Sequence, residues 1–106
     1  MDEKHRSRTI RRQILKILHE AAAAGLTQSG SWLNLPSLRE ILSMWGDDLS
    51  DLEIRRHCVY LADPDINCIE VEKLGKAGVY IYRYRIKARG TRVVEGEESV
   101  PGVGEG

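Results

Sequence analysis

Residues 49–86 read LSDLEIRRHCVYLADPDINCIEVEKLGKAGVYIYRYRI, and a change of period inside this stretch decides the fold. Ser50 and Glu53 have the S-x-x-E spacing of a capping box, in which each side chain satisfies an orphan backbone amide of the other. Ile54, Cys58 and Leu61 then recur on one helical face, while Leu52, Arg55, Arg56 and Val59 project from roughly the opposite side. Pro64 ends this helix at about residue 62. Beyond it the period drops to two. Ile69 and Val71 alternate with Glu70 and Glu72, and Val79–Ile86 is β-branched and aromatic. The intervening Leu74–Gly75–Lys76–Ala77–Gly78 has two glycines for a turn, so the two strands form a β-hairpin.

Upstream, Ile10, Ile14, Ile17, Leu18 and Ala21 make the stripe of an amphipathic helix over about residues 6–24, stopped by Gly25. Leu26–Leu33 reads as a loop. Asn34 is a candidate N-cap and Pro36 suits a first helical turn, so Leu38, Ile41, Leu42 and Trp45 belong to a second helix at about 35–45. Trp45 is expected in the core; Trp32 either packs locally or joins a dimer interface. Downstream, Ala88–Val94 suits one further helical turn, and residues 96–106 (GEESVPGVGEG) are expected to be a mobile tail. The order helix, helix, helix, hairpin predicts an α+β chain with winged-helix architecture. It comprises a helix-turn-helix core and a β wing over residues 1–95, a short C-terminal helical turn and a flexible tail over 96–106.

The stretch Ile14-Leu15-Lys16-Ile17-Leu18, the helix Leu38-Arg39-Glu40-Ile41-Leu42, and Leu49-Ser50 at the third helix resemble a family of small Mu-like phage and prophage proteins. So does the ending: Ile86-Lys87-Ala88-Arg89-Gly90, then Val94-x-Gly96 and Val100-Pro101-Gly102-Val103, is similar to that family's L-T-x-R-G, V-A-x-G and V-P-G-V. The resemblance spans most of residues 10–103, and its distinctive part is the C-terminal combination. The chain departs from the family in its longer loop after the first helix, its basic, Tyr-rich second wing strand and its final Gly-Glu-Gly. The resemblance implies a winged helix of phage origin with no established catalytic activity.

The 106 residues bear equal numbers of basic and acidic groups, 16 of each, but in blocks. Residues 1–16 are net +4 and residues 34–72 net −6. Residues 73–92 carry seven cations and no acid, and the last fourteen residues are net −4. Such segregation either builds a basic face for phosphates or neutralises itself across the fold. Hydrophobic content of 42% suits one globular domain. No apolar run approaches the roughly 20 residues of a membrane span, and MDEKHRSR lacks a secretory h-region. The expectation is therefore a cytoplasmic protein without membrane attachment, and the phage resemblance implies that the cytoplasm is that of a bacterial host.

No catalytic residue, metal site or cofactor is expected. Cys58 and Cys68 lack metal-site spacing and read as core positions, and His5, His19 and His57 have no evident nucleophile partner. The leading expectation is a phage or prophage transcriptional regulator that binds duplex DNA. Leu52, Arg55, Arg56 and Val59 of the third helix meet bases in the major groove, and Lys73, Lys76 and Arg83 of the wing meet the backbone. Arg8, Arg11 and Arg12, with Arg6, read as a basic arm or as a solvated helix end. Tyr80, Tyr82 and Tyr84 share one strand face and are expected to point inward. The regulator is expected to act as a homodimer or with a partner. The competing expectation is a protein–protein module in phage development without direct DNA binding, in which Leu52 and Val59, with Trp32, meet another phage protein and the cations make interfacial salt bridges.

Overall fold

The computed structural model describes residues 3–24 and 32–104. Among them the chain is α+β, with α1 (Glu3–Ala24), β1 (Leu33–Asn34), α2 (Leu35–Met44), α3 (Asp51–Ala62), β2 (Ile69–Lys76), β3 (Val79–Ile86) and α4 (Ala88–Val94). The strands form one antiparallel sheet in the order β1-β3-β2.

Local chemistry sets most element ends. Asn34 Oδ1 accepts from the Ser37 amide at 2.9 Å, starting α2, with Pro36 placed where no amide donor is needed. Ser50 and Glu53 form the complete capping box of α3. The chain leaves α3 through Asp63, whose carboxylate accepts from the Asp65 amide. The Cys68 amide then donates to the Leu61 carbonyl at 2.9 Å, which ties the start of the sheet to the end of the helix. In the hairpin, Lys76 pairs with Val79 across a two-residue turn. Ala77 and Gly78 both have positive φ, 50° and 86°, the twist that suits a tight hairpin.

Packing follows the periods. Ile10, Ile14, Ile17 and Leu18 of α1 meet Leu38 and Leu42 of α2 and Ile54, Cys58 and Leu61 of α3 in one buried cluster, closed by Ile69 and Tyr84 from the sheet. Burying each large apolar side chain contributes about 1.5–3 kcal/mol, so this cluster holds the helices to the sheet.

Four expectations are corrected. The first helix starts at Glu3 rather than near residue 6, so Arg6 joins Arg8, Arg11 and Arg12 within it, in keeping with the helix-end reading of these cations. Leu33, expected in a loop, opens β1 and pairs with Tyr84, because β3 offers a free edge there; residues 25–31 of that loop lie outside the described residues. Trp45 is 37% exposed, since it caps the C-terminus of α2 rather than continuing its inner face.

The fourth correction concerns the tail. Residues 96–104 are packed rather than mobile: Val100 and Val103 belong to the core, and polar groups of α1 and α3 hold the backbone between them. Tyr60 Oη donates to the Pro101 carbonyl at 2.8 Å, Arg11 to Gly102 at 3.1 Å and Arg12 to Gly104 at 3.3 Å. The Gly104 amide in turn donates to the Arg8 carbonyl at 3.0 Å. Residues 105–106 lie outside the described residues.

Candidate functional site

The capping box directs α3 so that Ile54, Cys58 and Leu61 enter the core, which leaves the opposite face outward. Leu52 and Val59 are 52% and 67% exposed, and Arg56 is exposed between them. Arg55 is half-buried at the border with the sheet. Its guanidinium lies 4.3 Å from the Tyr82 ring centroid and donates to Tyr82 Oη at 3.0 Å. The four residues expected on the third helix thus share one outward stripe, and Arg55 joins it to the hairpin.

The tyrosine face of β3 is graded along its length. Tyr84 is buried beside Cys58, and burial pushes the pKa of both groups up, so both stay protonated. Tyr82 is half-buried under Arg55, and Tyr80 is exposed beneath Lys73, whose Nζ sits 4.0 Å from the ring centroid. The expectation that all three tyrosines point inward therefore holds fully only at Tyr84.

The charges of the hairpin are in large part internally paired. Arg83 Nη2 meets Glu72 at 2.8 Å, and Arg85 pairs with Glu70 across the same two strands. Both guanidiniums also lie over the Trp32 ring, at 4.8 and 4.4 Å from its centroid, so Trp32 packs locally. Arg89 and Arg92 share Glu98, whose carboxyl they hold below its usual range by hydrogen bonding. Arg83, expected at the DNA backbone, thus has an internal partner in Glu72. Of the wing residues expected to meet phosphates, Lys73 and Lys76 remain exposed. Four cations of the seven-cation block, Arg83, Arg85, Arg89 and Arg92, are thus paired with acids from other segments.

Arg11 and Arg12 are likewise turned to the tail carbonyls, while the Arg8 side chain stays exposed. A feature with no sequence signal lies where α1 crosses α3. Arg6, Arg11, Arg56 and His57 line a cleft of about 230 Å³ together with Glu3 and Glu53. Arg6 stands 3.9 Å from Glu53, whose carboxyl is lowered first by the Ser50 hydrogen bonds of the capping box.

His57 accepts at Nδ1 from Arg11 Nε at 3.3 Å. Burial, then the Arg11 charge, pushes its pKa below the ordinary 6.5. The folded protein therefore binds fewer protons than the unfolded chain just below 6.5, and stability must fall as pH drops through that region. Thermal melts between pH 7 and 5 should show this loss, and His57→Gln should flatten it. Carboxylates such as Glu53 and Glu98 act only at lower pH. A drop of equal size in the variant would assign the effect elsewhere.

Among the described residues, no cluster of His, Cys, Asp or Glu is placed to hold a metal ion. Among the same residues no helix is long and apolar enough to cross a membrane. Set against protein-family models, curated proteins and solved structures, the chain matches none.

Proposed function

We propose that the chain is a winged-helix module that binds duplex DNA and acts as a phage or prophage transcriptional regulator. In this reading α2 and α3 are the helix-turn-helix, and β2 and β3 are the wing. The observation that carries it is the outward stripe of α3. Leu52, Arg56 and Val59 are exposed together, bordered by Arg55, with no element of the described chain laid over them. An α-helix face of this kind fits the major groove, where arginine reaches guanine O6 and N7 and aliphatic groups reach thymine methyls. Lys73 and Lys76 supply backbone contacts from the wing, and Arg6 beside Arg56 supplies another from α1.

Ion pairing within the sheet limits the phosphate contacts to about three or four. Fluorescence anisotropy of a mixed-sequence duplex should therefore give a plot of log K against log salt with a slope of about −3 to −4. The R55A/R56A variant should lose preference among sequences in a binding-site selection while keeping the fold. Unchanged selectivity in that variant would defeat the assignment of α3.

One observation favours a second reading, a protein–protein module. The wing arginines are spent on Glu70 and Glu72, and Asp51 at the start of α3 stands in the open, paired with Arg39 at 3.1 Å. A flat DNA titration at low salt would favour it, with Leu52 and Val59 as the partner contact.

A further inference from the structure

The hairpin changes character along its length. On its outer face the base is ionic and closed: Glu70 opposes Arg85, Glu72 opposes Arg83, and Trp32 lies against both arginines. Beyond this point Leu74 opposes Ile81 and Lys76 opposes Val79. Val79 is 76% exposed and Ile81 54%, with Leu74 partly exposed beside them. Three branched apolar side chains therefore stand in solvent on one face of a rigid, tightly turned ribbon. Residues 73–82 contain Lys73 and Lys76 and no acid. Apolar surface and uncompensated positive charge are thus concentrated together at the free end, while the base of the same ribbon is neutralised.

We propose that this tip is a wedge for the minor groove of duplex DNA. Lys73 and Lys76 take phosphates on the two sides of the groove, and Val79, with Ile81 and Leu74 behind it, enters between base pairs, unstacks them and bends the duplex. The proposal rests on the DNA-binding reading above and adds the groove and the deformation. Charge complementarity selects this occupant. A polyanion meets both lysines, whereas a second copy of the tip would bring Lys73 and Lys76 against their own equivalents. The ribbon is also narrow, with paired strands roughly 4.8 Å apart, and insertion of apolar side chains at a base step is an established way to widen and kink the minor groove.

The test uses the full chain and a 30-base-pair duplex labelled at both ends, with binding followed by anisotropy and bending by energy transfer in the same samples. Saturation with the protein should raise end-to-end transfer. The V79T/I81T variant keeps β-branched residues in exposed strand positions and so keeps the hairpin, which circular dichroism verifies. At saturation it should leave transfer near the value for free DNA. A wild-type protein that binds without raising transfer, or a variant that bends the duplex as far, overturns the wedge and leaves the DNA-binding reading intact. Absence of binding to any duplex overturns both. In that case, binding to phosphatidylglycerol vesicles, or a dimer in sedimentation that V79T/I81T dissolves, would show what covers the tip instead.

Discussion

Deleting residues 99–106 should lower the unfolding free energy by about 4 kcal/mol, measured by urea denaturation. The deletion takes Val100 and Val103 out of the core and leaves the guanidiniums of Arg11 and Arg12 and the Tyr60 hydroxyl without the carbonyls of 101, 102 and 104. Two valines buried against α1 and α4 account for most of the loss, at about 1.5 kcal/mol or more each. The polar groups contribute less, because water replaces the carbonyls once the site is open. Replacing both valines with alanine in the full-length chain should therefore reproduce about 3 kcal/mol of the effect. Against a typical total of about 5–15 kcal/mol, the truncated protein would be marginal. A truncation that costs under about 1 kcal/mol would mean that this segment lies on the core without completing it.

Gly90→Ala should cost about 3 kcal/mol by the same measurement. Gly90 is buried within α4, and an added Cβ would lie well under 3.0 Å from the Cys68 carbonyl oxygen. Neither side of this contact can yield cheaply. The Cys68 carbonyl accepts from the Lys87 amide at 2.9 Å, and the Cys68 amide donates to Leu61, so moving it disturbs both the sheet and the end of α3. On the other side, α4 is anchored by Val93 in the core. Relief would require α4 to lift from the sheet, and Arg89 would then lose its bonds to the carbonyls of Asp65 and Ile66. A cost under 0.5 kcal/mol would mean that α4 shifts freely.

Those parts of the fold that depend on neighbours in sequence were legible. The caps at Asn34 and Ser50, the stripes of α1 and α3 and the glycine turn of the hairpin are local signals, and the structure places each where the sequence predicts. What escaped is non-local. β1 is two residues long and exists because β3 has an edge to offer at Tyr84 and Arg83, which no local pattern in Trp32–Asn34 announces. Val100 and Val103 are too few and too widely spaced to show a period, and the surrounding Gly, Glu and Pro suggest disorder until α1 is seen to hold them.

At the candidate site the exposure of Leu52, Arg56 and Val59 followed from helical spacing alone. The neutralisation of Arg83 and Arg85 did not, because charge totals by segment ignore register. Yet the signal was present. A two-residue turn at Ala77–Gly78 sets Glu72 opposite Arg83 and Glu70 opposite Arg85, so counting back from the turn would have shown the pairs. The cleft of Arg6, Arg56 and His57 depends on the crossing of α1 and α3 and had no counterpart in sequence.

The clasp of α1 on residues 100–104 also has a consequence for how the protein is made. α1 is synthesised well before the valines that seal the core beside it. In the interval the nascent chain can form its capped helices and its hairpin while a seam along α1 stays open. Closure waits for residue 103 to emerge, so the core is sealed in a late step rather than progressively. A product ending short of that point keeps an apolar seam open to proteases, and cellular quality control would distinguish it by that seam from a chain that includes residue 103.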